Sequence, residues 1–252
     1  MSTQNKVTPA DRKPAESAFA VGPNLSFAAL EAYKRLRTNL LFSFADKPGC
    51  KVICTSSSMR GEGKTTTSCN LGYALAEAGK KTLILDGDMR LPQVHKVLNL
   101  RQAPGLSNLL TGINTDESLI QPAGIHDLLS VIAAGDIPPN PSELLASKKM
   151  GDIIGLLRKE FDFVLIDLPP IDAVADALIV SKLTDGLILV VRENYVDKAA
   201  LSSSMRQLKF QQVNLLGFVL NGSTSESSRY YRGSYYKKSY YKEGYAPDSD
   251  FS

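Results

Sequence analysis

Val52-Ile-Cys-Thr-Ser-Ser-Ser58-Met-Arg-Gly61-Glu62-Gly63-Lys64-Thr65 joins a short apolar run to the start of a helical pattern. Its last eight residues match the phosphate-loop pattern G-x-x-x-x-G-K-[ST], with Ser58 in place of the first Gly. A phosphate needs many donors at short range. Gly61 and Gly63 let backbone N–H groups turn inward with no Cβ in the way. Lys64 brings a cation to the outer phosphates, the Thr65 hydroxyl can ligate Mg²⁺, and the helix N-terminus adds a positive dipole. Glu62 and Thr66 complete the set of nucleotide-binding candidates. The bland alternative is a glycine-rich turn before a helix, but here Gly-Lys-Thr sits at the strand-to-helix junction where phosphate binding works.

Outward from this stretch, short apolar runs recur at 52–55, 82–85, 128–132, 163–166, 187–191 and 215–220. Helix-like segments lie between them near 64–79, 141–158, 172–182 and 197–210. Strands separated by helices predict an α/β fold, a doubly wound and mostly parallel sheet with helices on both faces. The functional edge is then at the carboxyl ends of the strands. Ahead of the sheet, residues 26–42 place Leu30, Tyr33, Leu36 and Leu40 on one stripe, an amphipathic helix with a basic flank of Lys34, Arg35 and Arg37. That flank is either a solvated face or a subunit contact.

Two acidic signals close runs of apolar residues. Leu83-Ile-Leu-Asp86-Gly-Asp88-Met-Arg90 sends two carboxylates off a buried strand. Alternation in an extended segment points both the same way. Such a pair repels unless a cation lies between them, although a solvated helix cap is the plainer reading. Phe163-Val-Leu-Ile-Asp167 is an apolar strand ending in an acid, the second carboxylate position of a Mg²⁺-dependent phosphate-loop site. Asp162 precedes that strand and reads as a cap.

The ends differ in character. Residues 1–25 are polar, lack periodicity and read as a flexible arm; the folded domain spans 26–221. Residues 222–252 contain no Leu, Ile or Val and carry a five-residue repeat headed by Tyr-Tyr pairs. They read as a disordered tail. Between Arg229 and Tyr245 five basic residues face one acid, Glu243. Arg and Tyr interleaving also suits a nucleic-acid-binding tail. For the whole chain the net charge is +3, too small to imply a nucleic-acid partner. The three cysteines, Cys50, Cys54 and Cys69, show no zinc-like pairing and suit a reducing cytoplasm. No signal peptide is expected, and no apolar run approaches the roughly 18 residues of a membrane span.

Taken together, the phosphate loop and the two acidic signals resemble the deviant-Walker P-loop family, which includes partition and cell-division-site ATPases and nitrogenase iron protein. Within it, the chain is most similar to the bacterial tyrosine autokinases of capsular and exopolysaccharide synthesis. Met59 stands where partition-type ATPases carry a signature Lys. Gly61 to Lys64 reproduce the autokinases' Gly-Glu-Gly-Lys, and Asp86, Asp88 and Arg90 their Asp-x-Asp-x-Arg. Glu31 to Asn39 and Pro138-Pro-Asn-Pro-Ser-Glu-Leu-Leu145 match further stretches. The tyrosine cluster is Tyr230, Tyr231, Tyr235, Tyr236, Tyr240, Tyr241 and Tyr245. The likeness covers residues 26–245. It departs at Arg60, usually Pro, at Leu168, usually Ser or Thr, and in the oligomerisation pattern, which here is Glu31, Lys34, Arg37. Lys lacks the bidentate fork of Arg.

The resemblance implies a Mg-ATP-dependent kinase that phosphorylates its own tail between subunits and regulates polysaccharide polymerisation and export. Lys64 and the loop amides would hold the β- and γ-phosphates. Thr65, Asp88 and Asp167, with Asp86 nearby, would hold Mg²⁺ directly or through water. Asp86, or Asp88 in exchange, would take the tyrosine proton. Arg90 would buttress the pair or touch phosphate, and Asn221, at the end of the last strand, would read adenine. Expected partners are a membrane adaptor of polysaccharide co-polymerase type, further copies of the chain in a ring (an octamer is one candidate size) and a cognate tyrosine phosphatase, with no nucleic acid. The protein would be cytoplasmic and peripheral at the inner membrane face, like the split Gram-positive form. Two other classes remain: a nucleotide-switched positioning ATPase, and a scaffold phosphorylated by another kinase.

Overall fold

A computed structural model describes residues 20–113 and 119–223. Seven strands form one sheet in the order β3-β4-β2-β5-β1-β6-β7. They are β1 (Lys51–Ser57), β2 (Thr82–Asp86), β3 (Gln121–Pro122), β4 (Leu129–Ile132), β5 (Phe163–Asp167), β6 (Gly186–Arg192) and β7 (Leu215–Asn221). Every pairing is parallel except β3 with β4. The six expected strands are all present, and β3 is an addition, a two-residue antiparallel edge.

Side-chain alternation divides the core between the two faces of the sheet. Val52 and Cys54 of β1, Leu83 and Leu85 of β2, and Val164 and Ile166 of β5 share one cluster. Covering them are α4 (Leu106–Thr111), α5 (Pro141–Ala146), α6 (Lys148–Glu160), α7 (Asp176–Ser181) and α8 (Lys198–Phe210). Ile53, Ile84 and Leu165 point the other way, against α1 (Phe27–Ser43), α2 (Lys64–Glu77) and α3 (Val94–Val97). Burial of both faces explains why these strands are near-continuous apolar runs.

Two boundaries differ from expectation. The single helix expected over 141–158 is two, parted at Ser147. Its extended backbone (φ −68°, ψ 152°) ends α5 and starts α6, and its Oγ accepts from Met150 N. Ordered packing also begins before residue 26. Val21 and Gly22 are buried, and Gly22 N donates to Asn70 Oδ1 at 2.9 Å, so a 3₁₀ turn at Gly22–Asn24 packs on α2. Ser26 then caps α1, its Oγ accepting from Ala29 N. Leu40 of the expected α1 stripe is buried, and Leu30 and Leu36 pack partly against the same cluster. Among the described residues no helix is long and apolar enough to cross a membrane.

Candidate active site

Strand order places the carboxyl ends of β1, β5 and β2 side by side. In the β2–β5 ladder Asp86 is the register partner of Asp167, and Asp167 is in turn the partner of Thr55 on β1. Two acids that lie 81 positions apart in sequence therefore meet at one edge of the sheet. Asp86 and Asp167 are fully buried and Asp88 nearly so.

Lys64, the first residue of α2, provides the balancing charge. Its Nζ donates to Asp88 Oδ2 at 2.9 Å and lies 3.6 Å from Asp167 Oδ2. Thr65 Oγ1 donates to the same Asp167 oxygen at 2.6 Å, and Ser68 Oγ lies 3.1 Å from its other oxygen. Three buried carboxylates thus share one ammonium. Burial pushes the Asp86 carboxyl up to about 8, and the neighbouring Asp167 charge adds to this. Asp167 is likewise raised by burial, against the pull of Lys64 and Thr65. Burial would lower the Lys64 pKa, but the Asp167 and Asp88 carboxylates outweigh it and the net shift is upward. Lys64 is therefore a firmly charged ammonium.

Asp86 faces away from the cavity. Its Oδ1 accepts from Asp88 N at 3.2 Å and its Oδ2 from Val94 N at 3.1 Å. The expected metal set of Thr65, Asp86, Asp88 and Asp167 is therefore not one cluster. Among the described residues no three His, Cys, Asp or Glu side chains converge to hold a metal alone. What remains suits Mg²⁺ nonetheless, since that ion takes one or two carboxylates and fills its octahedron with phosphate oxygens and waters. Thr65, Asp88 and Asp167 are oxygen donors at one point, with an excess of negative charge.

A cavity of about 500 Å³ opens over this group. Gly61, Gly63, Lys64, Thr65 and Thr66 of the loop and α2 line it together with the charged Asp88 and Arg90 and the apolar Leu91, Pro170 and Val174. Arg90 is held in place by Asp176 and Ser142. Its Nε donates to Asp176 Oδ2 at 3.0 Å and its Nη2 to Ser142 Oγ at 2.8 Å, while Ser142 Oγ donates to Asp176. Ser142 lies in the Pro138 to Leu145 stretch already singled out, but its partner Asp176 carried no signal.

Three other candidates have different surroundings from those expected. Glu62 is fully buried and is not a cavity residue; its Oε1 accepts from Met59 N at 2.6 Å and its Oε2 from Arg192 N at 3.0 Å. Asn221 donates from Nδ2 to Glu62 O at 2.9 Å and does not line the cavity. In α1, Lys34 Nζ pairs with Glu31 Oε1 at 3.0 Å, both side chains partly exposed, and Arg37 Nη1 donates to Ala74 O of α2. Leu168 is buried and packs under Gly87, where an added Cβ would lie 2.8 Å from Leu168 Cδ2. Tyr230, Tyr231, Tyr235, Tyr236, Tyr240, Tyr241 and Tyr245 lie outside the described residues.

A family model described as an AAA domain matches residues 50–214. The septum site-determining protein MinD of Pyrococcus horikoshii, solved with Mg-ADP, superposes with a TM-score of 0.58 at 25% identity, over 71% of this chain and 76% of that one. The kinase domain of Escherichia coli tyrosine kinase ETK superposes better, with a TM-score of 0.73 at 32% identity over 77% of this chain and 75% of that one. Tyrosine-protein kinase YwqD of Bacillus subtilis (strain 168) is 38% identical over 201 residues, spanning 79% of this chain and 84% of that protein. Likeness of that extent, running through the phosphate loop and both acidic strand ends, makes the chain a member of the bacterial tyrosine-protein kinases.

Proposed function

We propose that the protein is a Mg-ATP-dependent autokinase whose acceptors are its own tail tyrosines, Tyr230 through Tyr245, and that it thereby regulates capsular or exopolysaccharide polymerisation and export. The observation that carries this reading is the contact of Lys64 with Asp88 and Asp167 beside an open cavity that Lys64, Thr65 and Asp88 border, with β7 ending against the phosphate loop where the tyrosine-rich tail begins. From Gly222 to Tyr231 is nine residues, an extended reach of roughly 30 Å, which suits a neighbouring subunit's cavity.

The chemistry follows from the residues that border the cavity. Phosphoryl transfer needs charge neutralisation and in-line placement more than covalent help. Lys64 and the loop amides would hold the β- and γ-phosphate oxygens, while Thr65, Asp88 and Asp167 would hold Mg²⁺. The ion, when bound, neutralises charge on the phosphates. A tyrosine hydroxyl, with a pKa of about 10, needs a carboxylate to take its proton. Asp88 borders the cavity, with Oδ2 on Lys64 and Oδ1 accepting from Leu91 N, whereas Asp86 does not border it and accepts from Asp88 N and Val94 N. Position at the cavity favours Asp88 as the proton acceptor, with Asp86 orienting it through the Asp88 N–H. The tyrosine oxygen bonds to the γ-phosphorus as the bond to the β–γ bridging oxygen breaks, and ADP leaves.

Around this centre the reading includes a ring-like oligomer, a membrane adaptor of co-polymerase type that brings the protein to the inner membrane face, and a phosphatase that resets it. Each tail phosphate adds about −1.5 to −2 charges. Seven would swing the segment from +4 to roughly −7 to −10, and crowded tails would repel. A fully phosphorylated form should sediment as a smaller species.

The deciding experiment incubates the purified protein with Mg-ATP and the cytoplasmic segment of a candidate adaptor, then maps phosphotyrosine by mass spectrometry. Phosphate on Tyr230 to Tyr245, lost in Lys64→Met and Asp88→Ala, is the expected result. ATP hydrolysis without phosphotyrosine would shift the reading to a positioning ATPase. Tail phosphorylation that persists in cells carrying Lys64→Met would shift it to a scaffold.

A further inference from the structure

The phosphate loop is gripped from behind by three side chains that do not line the cavity. Tyr195 Oη donates to Arg60 O at 3.0 Å, Arg192 Nη1 to Gly61 O at 3.1 Å, and Asn221 Nδ2 to Glu62 O at 2.9 Å. These are three consecutive carbonyls. In a trans peptide the C=O and the next residue's N–H point in opposite directions. Holding the carbonyls of residues 60, 61 and 62 outward therefore turns the N–H groups of Gly61, Glu62 and Gly63 toward the opposite side, where Gly61 and Gly63 border the cavity. We infer that Tyr195, Arg192 and Asn221 are positioning residues that set the phosphate-binding amides before any nucleotide arrives.

The surrounding structure is built for this grip. Arg192 and Asn221 are register partners at the ends of β6 and β7, and Glu193 N donates to Asn221 O at 2.9 Å, so the donors share one frame. The Arg192 guanidinium lies over the Tyr195 ring, 5.0 Å from its centroid. The Glu62 carboxylate joins the same frame to the loop through Met59 N and Arg192 N. The two glycines make the approach possible. A Cβ on Gly61 would lie 2.7 Å from Tyr195 Oη, and one on Gly63 would lie 2.0 Å from Asn221 Nδ2. Their absent side chains thus serve the donors behind the loop as well as the phosphate in front. Asn221 is accordingly assigned to loop geometry rather than to adenine.

This inference rests on the nucleotide-site reading above, and its test separates the two. Calorimetric titration with Mg-ADP and amide hydrogen exchange of the nucleotide-free protein would be measured for wild type, Tyr195→Phe, Arg192→Met, Arg192→Lys and Asn221→Ala. Each lost hydrogen bond should weaken Mg-ADP binding about two- to tenfold. The Gly61–Gly63 amides should exchange faster in the same variants without nucleotide. Arg192→Lys, which keeps a donor, should recover most of the loss in Arg192→Met, whereas a role in bulk packing would not distinguish the two. Tyr195 is half exposed, so Tyr195→Phe should keep the fold even if Asn221→Ala does not. Wild-type affinity and unchanged loop exchange in both Tyr195→Phe and Arg192→Met would overturn the inference. If wild type itself fails to bind Mg-ADP, the nucleotide reading falls, and loop exchange alone still decides whether the grip sets the amides.

Discussion

Replacing Asp86 with Asn should change how stability depends on pH. In the nucleotide-free protein this fully buried carboxyl is pushed up to about 8, chiefly by burial. In the unfolded chain it titrates near the ordinary aspartate value of about 3.9. Between those values the folded state holds a proton that the unfolded state has released. The stability associated with it is present below pH 4 and is lost as pH rises toward 8. The slope is about 1.4 kcal/mol per pH unit, or on the order of 2–3 kcal/mol between pH 5 and pH 7. Asp86→Asn removes that titration. It also sets an amide N–H₂ against a backbone N–H of Asp88 or Val94, a roughly constant cost of about 1–3 kcal/mol. Urea unfolding of both proteins at pH 5, 6, 7 and 8 and fixed ionic strength should show the variant weaker at pH 5 and gaining steadily on wild type by pH 7. His95, lowered by burial, contributes equally to both and cancels in the difference. A difference that stays constant across this range would refute the argument, because it would mean that Asp86 is already ionised in the fold at pH 5.

Three further outcomes follow from geometry. Gly63 has φ +92°, so Gly63→Ala adds about 1–2 kcal/mol of backbone strain and a Cβ that collides with Asn221; titration should show Mg-ADP affinity falling more than tenfold, and unchanged affinity would contradict the collision. Asp176→Asn removes the fully buried carboxylate that holds Arg90; thermal unfolding should register a loss of about 1–3 kcal/mol, and kcat/KM for peptide phosphorylation should fall. Cys54 and Cys69 are buried, with the Cys54 thiol raised to about 12 by burial and Cys69 raised likewise; alkylation at pH 8 followed by mass spectrometry should label Cys50 first, although its thiol too is raised to about 11.

The sheet was legible in the sequence because each strand is buried on both faces and so appears as an unbroken apolar run between helical stretches. β3 escaped because Gln121 and Pro122 offer neither alternation nor length. The short helices α3 and α4, four and six residues long, escaped for the same reason. Lys64, Thr65, Asp88 and Asp167 were legible because their spacing is tied to strand ends, and the fold brings those ends together. Glu62 was legible as a loop position but not in the direction of its carboxylate, because motif position does not say which way a side chain turns. A charge between two glycines could face the phosphate, yet here it braces the chain behind. Tyr195, Arg192 and Asp176 could not be found, since what places them is strand register and loop packing across 86 to 135 residues.

The interruption at Ser147 has a mechanical consequence. Ser147 Oγ lies 2.7 Å from Leu144 O behind it and accepts from Met150 N ahead, so one side chain finishes one axis and begins another. α5 carries Ser142 to Arg90 and Asp176 and sets Leu145 in the core, while α6 sets Met150, Ile153, Ile154 and Leu157 in the same cluster. A continuous rod through both would translate any repacking of the core into a swing of Ser142 over the cavity. With the axis broken at Ser147, the line that α6 takes along the core does not by itself set where Ser142 meets Arg90.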